Sequence, residues 1–181
     1  MIKYLCAEDG QYILETGGEF LHSNIIWIDL LNPTEEEKEL VEKTFQVELF
    51  TSQEREEIES SSKYLETESE IGINLNFLRS TNGNYVNEAV SFILKDDYLI
   101  TQRIHEYKTF TDTFHKIRSL RPGNGIEIFL TILETRIDFD ADLIENITEK
   151  ITKISKDLVR DNDLKRELLL KISTFQESTI S

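Results

Sequence analysis

The sequence predicts a mixed α/β protein, in which a largely antiparallel sheet flanked by helices (an αβα arrangement) is followed by a long projecting helical hairpin. Short apolar segments separated by turn residues fill the first 105 residues. Around residue 75 apolar and polar residues alternate with the period of a strand, and beyond residue 125 apolar residues recur every seven positions. We therefore expect an αβα domain at residues 1–123 and a helical hairpin at 124–181.

Three strands are expected near the amino terminus. Residues 1–6, 12–15 and 25–30 are rich in apolar side chains, and glycines or a proline bound them. Asn32, Pro33 and Thr34 are followed by three glutamates, which combines a capping side chain, an early proline and acids at the start of a helix. Leu40, Val41 and Phe45 are expected to form the buried stripe of this helix.

An antiparallel meander is predicted between residues 71 and 103. Ile71, Ile73, Leu75 and Phe77 alternate with small or polar residues, and Asn82-Gly83 then supplies a tight turn. Residues 85–95 return as a strand, and Asp96-Asp97 turns the chain into a further strand at 98–103. The whole sheet should have about five to seven strands, with Trp27 at least partly buried in an inner one.

Helical periodicity begins after residue 105. Phe110, Phe114, Ile117 and Leu120 mark one helix, which should stop at Arg121-Pro122-Gly123 because proline disfavours helix in the residue before it. A second helix of about 35 residues is predicted by the heptad series that comprises Leu130, Ile137, Ile144, Ile151 and Leu158.

The heptad series is expected to pack inside a hairpin. Residues 160–163 resemble a connection, after which an antiparallel return helix should present Leu168, Ile172 and Phe175 to the series. No glycine or proline ends the return helix before Ser181, so we expect that the natural protein continues.

Composition limits the classes of partner. The 181 residues include 35 acidic and 20 basic side chains, for a formal charge of -15. Nucleic acid needs a basic footprint, and none is visible. The charge is compatible with cations, with basic partners or with solubility alone.

The sequence lacks signals for secretion or membrane insertion. Cys6 is the only cysteine, so no internal disulfide can form. The amino terminus has no apolar signal segment, and the longest apolar run, at 25–31, is interrupted by Asp29 and falls short of the roughly 20 residues of a membrane helix. We expect a soluble polypeptide from a reducing compartment.

Catalytic signatures are not apparent. His22, His105 and His115 are widely spaced, and the sequence contains no zinc-protease pair, phosphate loop, nucleophile elbow or dinucleotide fingerprint. We therefore expect surface or strand-end histidines and no enzymatic activity.

Carboxylates are the notable chemical inventory. Eight glutamates lie between Glu48 and Glu70, a density that a solvated helix face explains. On the long helix, spacings of four, four and three place an acidic stripe on one side, formed by Glu134, Asp138, Asp142 and Glu145. Such hard oxygen ligands suit magnesium or calcium.

Asp140 occupies a position of the heptad repeat where an apolar residue is expected. Either the apolar seam of the helix ends locally, or the acid meets a partner surface. We favour the first.

The order of several short motifs resembles the cytoplasmic domain of the CorA magnesium channel family. They are Ile26-Trp27-Ile28-Asp29-Leu30, Asn32-Pro33-Thr34, Lys63-Tyr64 before the strand at 71–78, Val90-Ser91-Phe92-Ile93-Leu94 before Leu99-Ile100-Thr101, and the long helix through Leu133, Ile137, Leu143-Ile144 and Ile147. The resemblance covers nearly the whole chain. This sequence does not contain the family's stalk, its two membrane helices or its Gly-Met-Asn loop.

The resemblance implies a function and a site. Channels of this family are homopentamers that carry divalent cations and hold regulatory Mg²⁺ between neighbouring protomers with acidic side chains. The matching acids are Glu54, where aspartate is usual, and Asp138, whereas the often acidic position before Glu54 is Gln53. The chain would lie at the cytoplasmic face of the cell membrane, attached only through helices outside this sequence.

Three alternatives remain open from the sequence. A zinc-transporting relative with the same soluble fold would look alike. A stand-alone acidic adaptor could use its hairpin to capture another helix, and a metal-dependent hydrolase would need acids that converge in a pocket.

Overall fold

A computed structural model describes residues 1–56, 63–66, 68–160 and 165–180. Its contacts divide the chain into two compact units. Unit 1 comprises Met1–Phe77 and Glu88–Leu133, and unit 2 comprises Leu78–Asn87 and Glu134–Ser181. The domain boundary predicted at residue 123 and the projection of the hairpin stay predictions.

Strands and helices follow the predicted order. The strands are β1 (Ile2–Glu8), β2 (Gln11–Thr16), β3 (Ile25–Leu31), β4 (Lys63–Glu66), β5 (Glu70–Thr81), β6 (Asn84–Lys95) and β7 (Tyr98–Arg103). The helices are α1 (Glu35–Phe45), α2 (Ser52–Glu56), α3 (Lys108–Leu120), α4 (Gly125–Arg160) and α5 (Lys165–Ile180). The mixed α/β class is confirmed, and the described residues form a sheet of seven strands.

The sheet has the order β2-β1-β3-β7-β6-β5-β4. Antiparallel pairing joins β1 with β2 and β3, β4 with β5, and β6 with β7, in agreement with the largely antiparallel sheet that was predicted. The central pair, β3 and β7, is parallel, with Trp27 opposite Leu99 and Leu31 opposite Arg103. Parallel neighbours need a crossover of a dozen or more residues, and here the chain between them contains α1 and α2 as well as three strands.

Two apolar cores lie on the two faces of the sheet. Trp27, 1% exposed, belongs to the core that contains Phe92, Phe110 and Ile128, which confirms its predicted burial. Its neighbour Ile28 points to the other face, into the second core. The strand β3 is therefore covered on both sides.

The start of α1 is a complete capping box. The Thr34 hydroxyl accepts a hydrogen bond from the Glu37 backbone N–H, and the Glu37 carboxylate accepts one from the Thr34 N–H. Val41 is buried as predicted. Leu40, however, is 39% exposed, because it lies one position from Val41 and turns away from the core.

The long helix predicted after residue 125 is confirmed. Helix α4 contains 36 residues, which corresponds to about 54 Å at 1.5 Å per residue. Its first residue, Gly125, donates its N–H to the Asp97 carbonyl at 2.7 Å, so α4 begins against the turn between β6 and β7. The helix before it, α3, ends with Arg121 in the left-handed conformation, at the predicted stop.

Helix α5 returns along the end of α4 in unit 2. The Lys150 ammonium lies 5.8 Å from the centre of the Phe175 ring. Lys150 is ten residues before the end of α4 (160 − 150), and Phe175 is ten residues after the start of α5 (175 − 165), as an antiparallel pair requires. Of the connection predicted at 160–163, Arg160 is the last residue of α4, and 161–163 lie outside the described residues.

The predicted packing of the heptad series is wrong for its first three members. Leu130, Ile137 and Ile144 are 51%, 66% and 56% exposed. Ile151 and Leu158 are half-buried, as are Leu168, Ile172 and Phe175 on α5. These α5 residues belong to the stretch that runs antiparallel to the last part of α4, where Phe175 lies beside Lys150.

Candidate metal centre

Glu54, the first predicted metal ligand, lies in unit 1 on α2. Its Oε2 accepts hydrogen bonds from the backbone N–H and the hydroxyl of Thr51, both at 2.9 Å. The Thr51 hydroxyl in turn accepts from the Glu54 N–H at 3.2 Å. Thr51 and Glu54 thus form a second capping box, in which Glu54 is the third residue of the helix. The sequence pattern Thr-x-x-Glu was the signal that could have revealed it.

The Glu54 carboxylate caps α2 and is also an oxygen donor. An ionised carboxylate offers about four lone-pair sites on two oxygens. The neighbouring Gln53 is exposed. The donor chemistry at this position therefore fits a hard divalent cation.

Asp138, the second predicted ligand, lies in unit 2 on α4. It is exposed, as are the other members of the acidic stripe, Glu134, Asp142 and Glu145. Residues that are three or four apart on a helix are neighbours, so these like charges repel one another. A cation beside the stripe would relieve that repulsion.

Asp140 has a partner on its own helix. Its carboxylate lies 3.3 Å from Arg136 Nε, one helical turn earlier. Asp140 and Arg136 are both half-buried. This pair accounts for an acid at a seam position.

The described residues of the chain do not by themselves assemble a metal-binding cluster. Across 1–56, 63–66, 68–160 and 165–180, no three histidine, cysteine, aspartate or glutamate side chains are grouped so that they could hold a metal ion. Glu54 and Asp138 belong to different units. The metal-ligand role of both residues stays a prediction.

Sequence reasoning missed a buried polar network beside the sheet's central pair. Arg103 donates from Nε to Asp29 Oδ1 at 3.0 Å and from Nη2 to Oδ2 at 2.7 Å. Asp29 Oδ1 also accepts from the Thr101 hydroxyl, which accepts from the Trp27 indole N–H. Asp29 within an apolar strand was the available signal, because a buried charge needs a partner.

The pKa of Arg103 reflects this environment. Burial by itself would lower the pKa of the guanidinium, but hydrogen bonds and charge from Asp29 and Glu106 outweigh burial and raise it. The guanidinium carbon also lies 4.4 Å from the centre of the Phe110 ring. Arg103 therefore stays charged in the core.

Two of the three histidines lie close to carboxylates. His22 is within 3.5 Å of Glu8 and 3.6 Å of Glu15, and His105 Nδ1 is 2.9 Å from Glu88. His115 is exposed on α3.

Comparison with known protein families identifies the chain's relatives. Residues 22–181 match the model of the family described as CorA-like Mg²⁺ transporter protein. The chain belongs to this CorA-like family. The family resemblance read from the sequence is therefore confirmed.

Curated CorA relatives match over most of the chain. The magnesium transport protein CorA of Wolinella succinogenes is 39% identical over 163 residues, which cover 86% of this chain and 50% of that protein. The CorA of Haemophilus influenzae is 33% identical over 185 aligned positions, covering 100% of this chain and 59% of that protein. The chain thus spans about half the length of the curated CorA proteins it matches.

Solved structures show the same fold at low identity. The soluble domain of CorA from Methanocaldococcus jannaschii has a TM-score of 0.73 at 18% identity and covers 98% of this chain and 71% of that one. The ZntB cytoplasmic domain from Vibrio parahaemolyticus has a TM-score of 0.62 at 12% identity and covers 98% and 75%. Among the described residues of this CorA-like chain, no helix combines the length and apolar character needed to cross a membrane.

Proposed function

We propose that this chain is the cytoplasmic metal-sensing part of a CorA-type divalent cation channel and that it regulates transport without conducting ions. The observation that carries the proposal is the family match over residues 22–181, together with curated magnesium transport proteins that cover up to the whole chain. The intact protein is a homopentamer at the cytoplasmic face of the cell membrane.

Carboxylates from neighbouring subunits form the sensor. Glu54 of one protomer and Asp138 of the next hold Mg²⁺ between them, and water completes the octahedral shell that this ion demands. At net charge -15, copies of the chain repel one another unless cations neutralise them. High cytosolic Mg²⁺ therefore favours the closed assembly, whereas low Mg²⁺ leaves the acids unscreened and loosens it.

The Glu54 capping box allows the negative charge of Glu54 to be removed without removing the cap of α2. Glutamine also serves at the third position of a capping box, so Glu54→Gln keeps the cap of α2 and removes the charge. Asp138→Asn makes the same change on α4. Glu39→Gln, at an exposed position on α1, is the matched control for the loss of one carboxylate.

Sedimentation and calorimetry on the 181-residue chain test the proposal. We expect a monomer in chelator, weak Mg²⁺ binding, and association at millimolar Mg²⁺ that Glu54→Gln and Asp138→Asn weaken and Glu39→Gln does not. A stable pentamer in chelator, or equal effects of all three variants, would contradict the intersubunit site.

A zinc-transporting relative is the second candidate. It is favoured by the likeness to the ZntB cytoplasmic domain. Titration with Zn²⁺ in competition with Mg²⁺ separates the two. Sequencing the coding region beyond residue 181 separates both from a stand-alone adaptor, since a channel requires two further apolar stretches of about 20 residues.

A further inference from the structure

A cleft of about 710 Å³ lies in unit 1, lined by strands β1 and β2 and helix α3. Its volume falls within the roughly 300–1,000 Å³ of small-molecule sites. It does not include Glu54 or Asp138. Whatever binds here is therefore a ligand separate from the cation of the proposed sensor.

The charged side chains of the cleft leave an excess of positive charge. Lys3, Arg118 and Arg103 line it together with one acid, Glu106. Arg103 Nη1 donates to Glu106 Oε2 at 2.9 Å, and the same guanidinium pairs with the buried Asp29. These three groups together carry one negative charge, which the two positive charges of Lys3 and Arg118 exceed. Within the described part of the chain, Lys3 and Arg118 form no ion pair.

Lys3 lies beside an aromatic ring. Its ammonium lies 5.8 Å from the centre of the Phe114 ring. A cation over an aromatic face gains about 0.5–1 kcal/mol at an exposed site, less than a charge-assisted hydrogen bond to an anion. Lys3 can therefore exchange this contact for an acidic ligand.

The remaining walls of the cleft are apolar. Leu14 is 50% exposed and presents aliphatic surface to the cleft, whereas Leu5 and Ile117 line it as buried core residues. Phe114 is half-buried and stacks on Trp27, with ring centres 4.2 Å apart and planes 13° from parallel. An aromatic ring fixed in this way offers a rigid surface for a flat ligand.

We propose that this cleft binds a small organic anion, whose acidic group is held by Lys3 and Arg118 and whose flat apolar body lies against Phe114 and Leu14. The rest of the chain, with its net charge of -15, repels anions. Two cations without acidic partners beside apolar walls are the local exception. The chain would then respond to an organic anion as well as to a cation, at a site that does not include Glu54 or Asp138.

A matched pair of fluorescent probes tests the site on the 181-residue chain. 1-Anilinonaphthalene-8-sulfonate has an acidic group on a flat apolar body, and N-phenyl-1-naphthylamine has the same body without the sulfonate. We expect the sulfonate to bind at least about tenfold more tightly, because one charge-assisted hydrogen bond is worth that factor. Its binding should also quench Trp27, the only tryptophan, which lies directly behind Phe114.

Charge-removing variants locate the binding. Lys3→Gln and Arg118→Gln should each weaken the sulfonate about tenfold and leave the uncharged probe unchanged. Lys43→Gln, at an exposed position on α1, should have no effect. Arg118 is exposed, so its variant folds even if Lys3→Gln does not. Equal binding of the two probes, unchanged Trp27 emission, or an equal effect of Lys43→Gln would each overturn the proposal.

Discussion

Asp29 and Arg103 form a bidentate ion pair between the parallel strands β3 and β7, and each side chain is 1% exposed. Removing one partner of a buried pair leaves an uncompensated charge, which typically costs about 3–5 kcal/mol. We therefore expect Asp29→Asn to lower the free energy of unfolding by about this amount in urea titrations.

Two controls belong with the Asp29 variant. Lys108→Met breaks an ion pair with Asp112 at the surface of α3 and should cost less than about 1 kcal/mol. The double variant Asp29→Leu with Arg103→Met removes both buried charges and should be less damaging than Asp29→Asn. A single variant no worse than Lys108→Met would show that the buried pair contributes little.

Gly125 is expected to resist substitution. A Cβ at this position would lie 2.2 Å from the Tyr98 carbonyl carbon and 2.4 Å from the Leu99 nitrogen, both backbone atoms. Gly125→Ala should therefore destabilise by about 1–3 kcal/mol or more. Gly123→Ala is the matched control, because its Cβ would meet only Glu127 Oε2 at 3.6 Å, an ordinary contact. Equal thermal unfolding temperatures for the two variants would contradict the close approach.

Ile147 and Ile144 lie one turn apart on α4 but in different surroundings. Ile147 is buried, whereas Ile144 is more than half exposed. Ile147→Ala should cost about 2–5 kcal/mol, and Ile144→Ala about 0.5 kcal/mol or less. Chemical unfolding followed by helical circular dichroism measures both. A larger loss of stability for Ile144→Ala than for Ile147→Ala would show that the heptad series, and not Ile147, forms the buried side of α4.

Cys6 should be protected from thiol reagents in the native state. Burial, followed by the charges of Glu8 and Glu15, raises the pKa of its thiol from 9.0 to about 11. Because the thiolate is the reactive form, labelling at pH 8 should be roughly a hundredfold slower than in urea. Cys6→Ser supplies the blank, and equal rates in the two conditions would contradict the burial.

The same shift links Cys6 to alkaline stability. A pKa raised by folding means that the native state retains the proton longer, so its contribution is present below pH 9. That contribution is lost as the pH rises towards about 11. The free energy of unfolding of Cys6→Ser should therefore fall less over this interval than that of the unmodified chain.

Local signals predicted most of the fold. The helix start after Asn32-Pro33-Thr34, the Asn82-Gly83 turn and the long helix α4 depend on residues a few positions apart, and all three elements appear where expected. The parallel register of β3 and β7 and the Asp29–Arg103 pair join residues more than seventy positions apart, which no local pattern encodes. The exposure of Ile137 depends on what packs beside α4, which heptad spacing alone does not encode.

The candidate site was predictable only in part. The exposed acidic stripe follows from helical spacing alone, whereas Glu54 and Asp138 were selected by resemblance to a family. The capping role of Glu54 was readable from Thr51 three residues earlier, and it constrains which substitution can test the charge.

The parallel ladder also governs the order in which the chain can fold. The β1-β2-β3 set and the β5-β6-β7 set are each built from strands adjacent in sequence, so each can pair quickly. Joining them closes a loop of 72 residues, the separation of Trp27 and Leu99. The Asp29–Arg103 and Trp27–Thr101 contacts both cross that joint. We therefore expect formation of the joint to be the slow step of folding, and weakening the joint to separate the two half-sheets before either one unfolds.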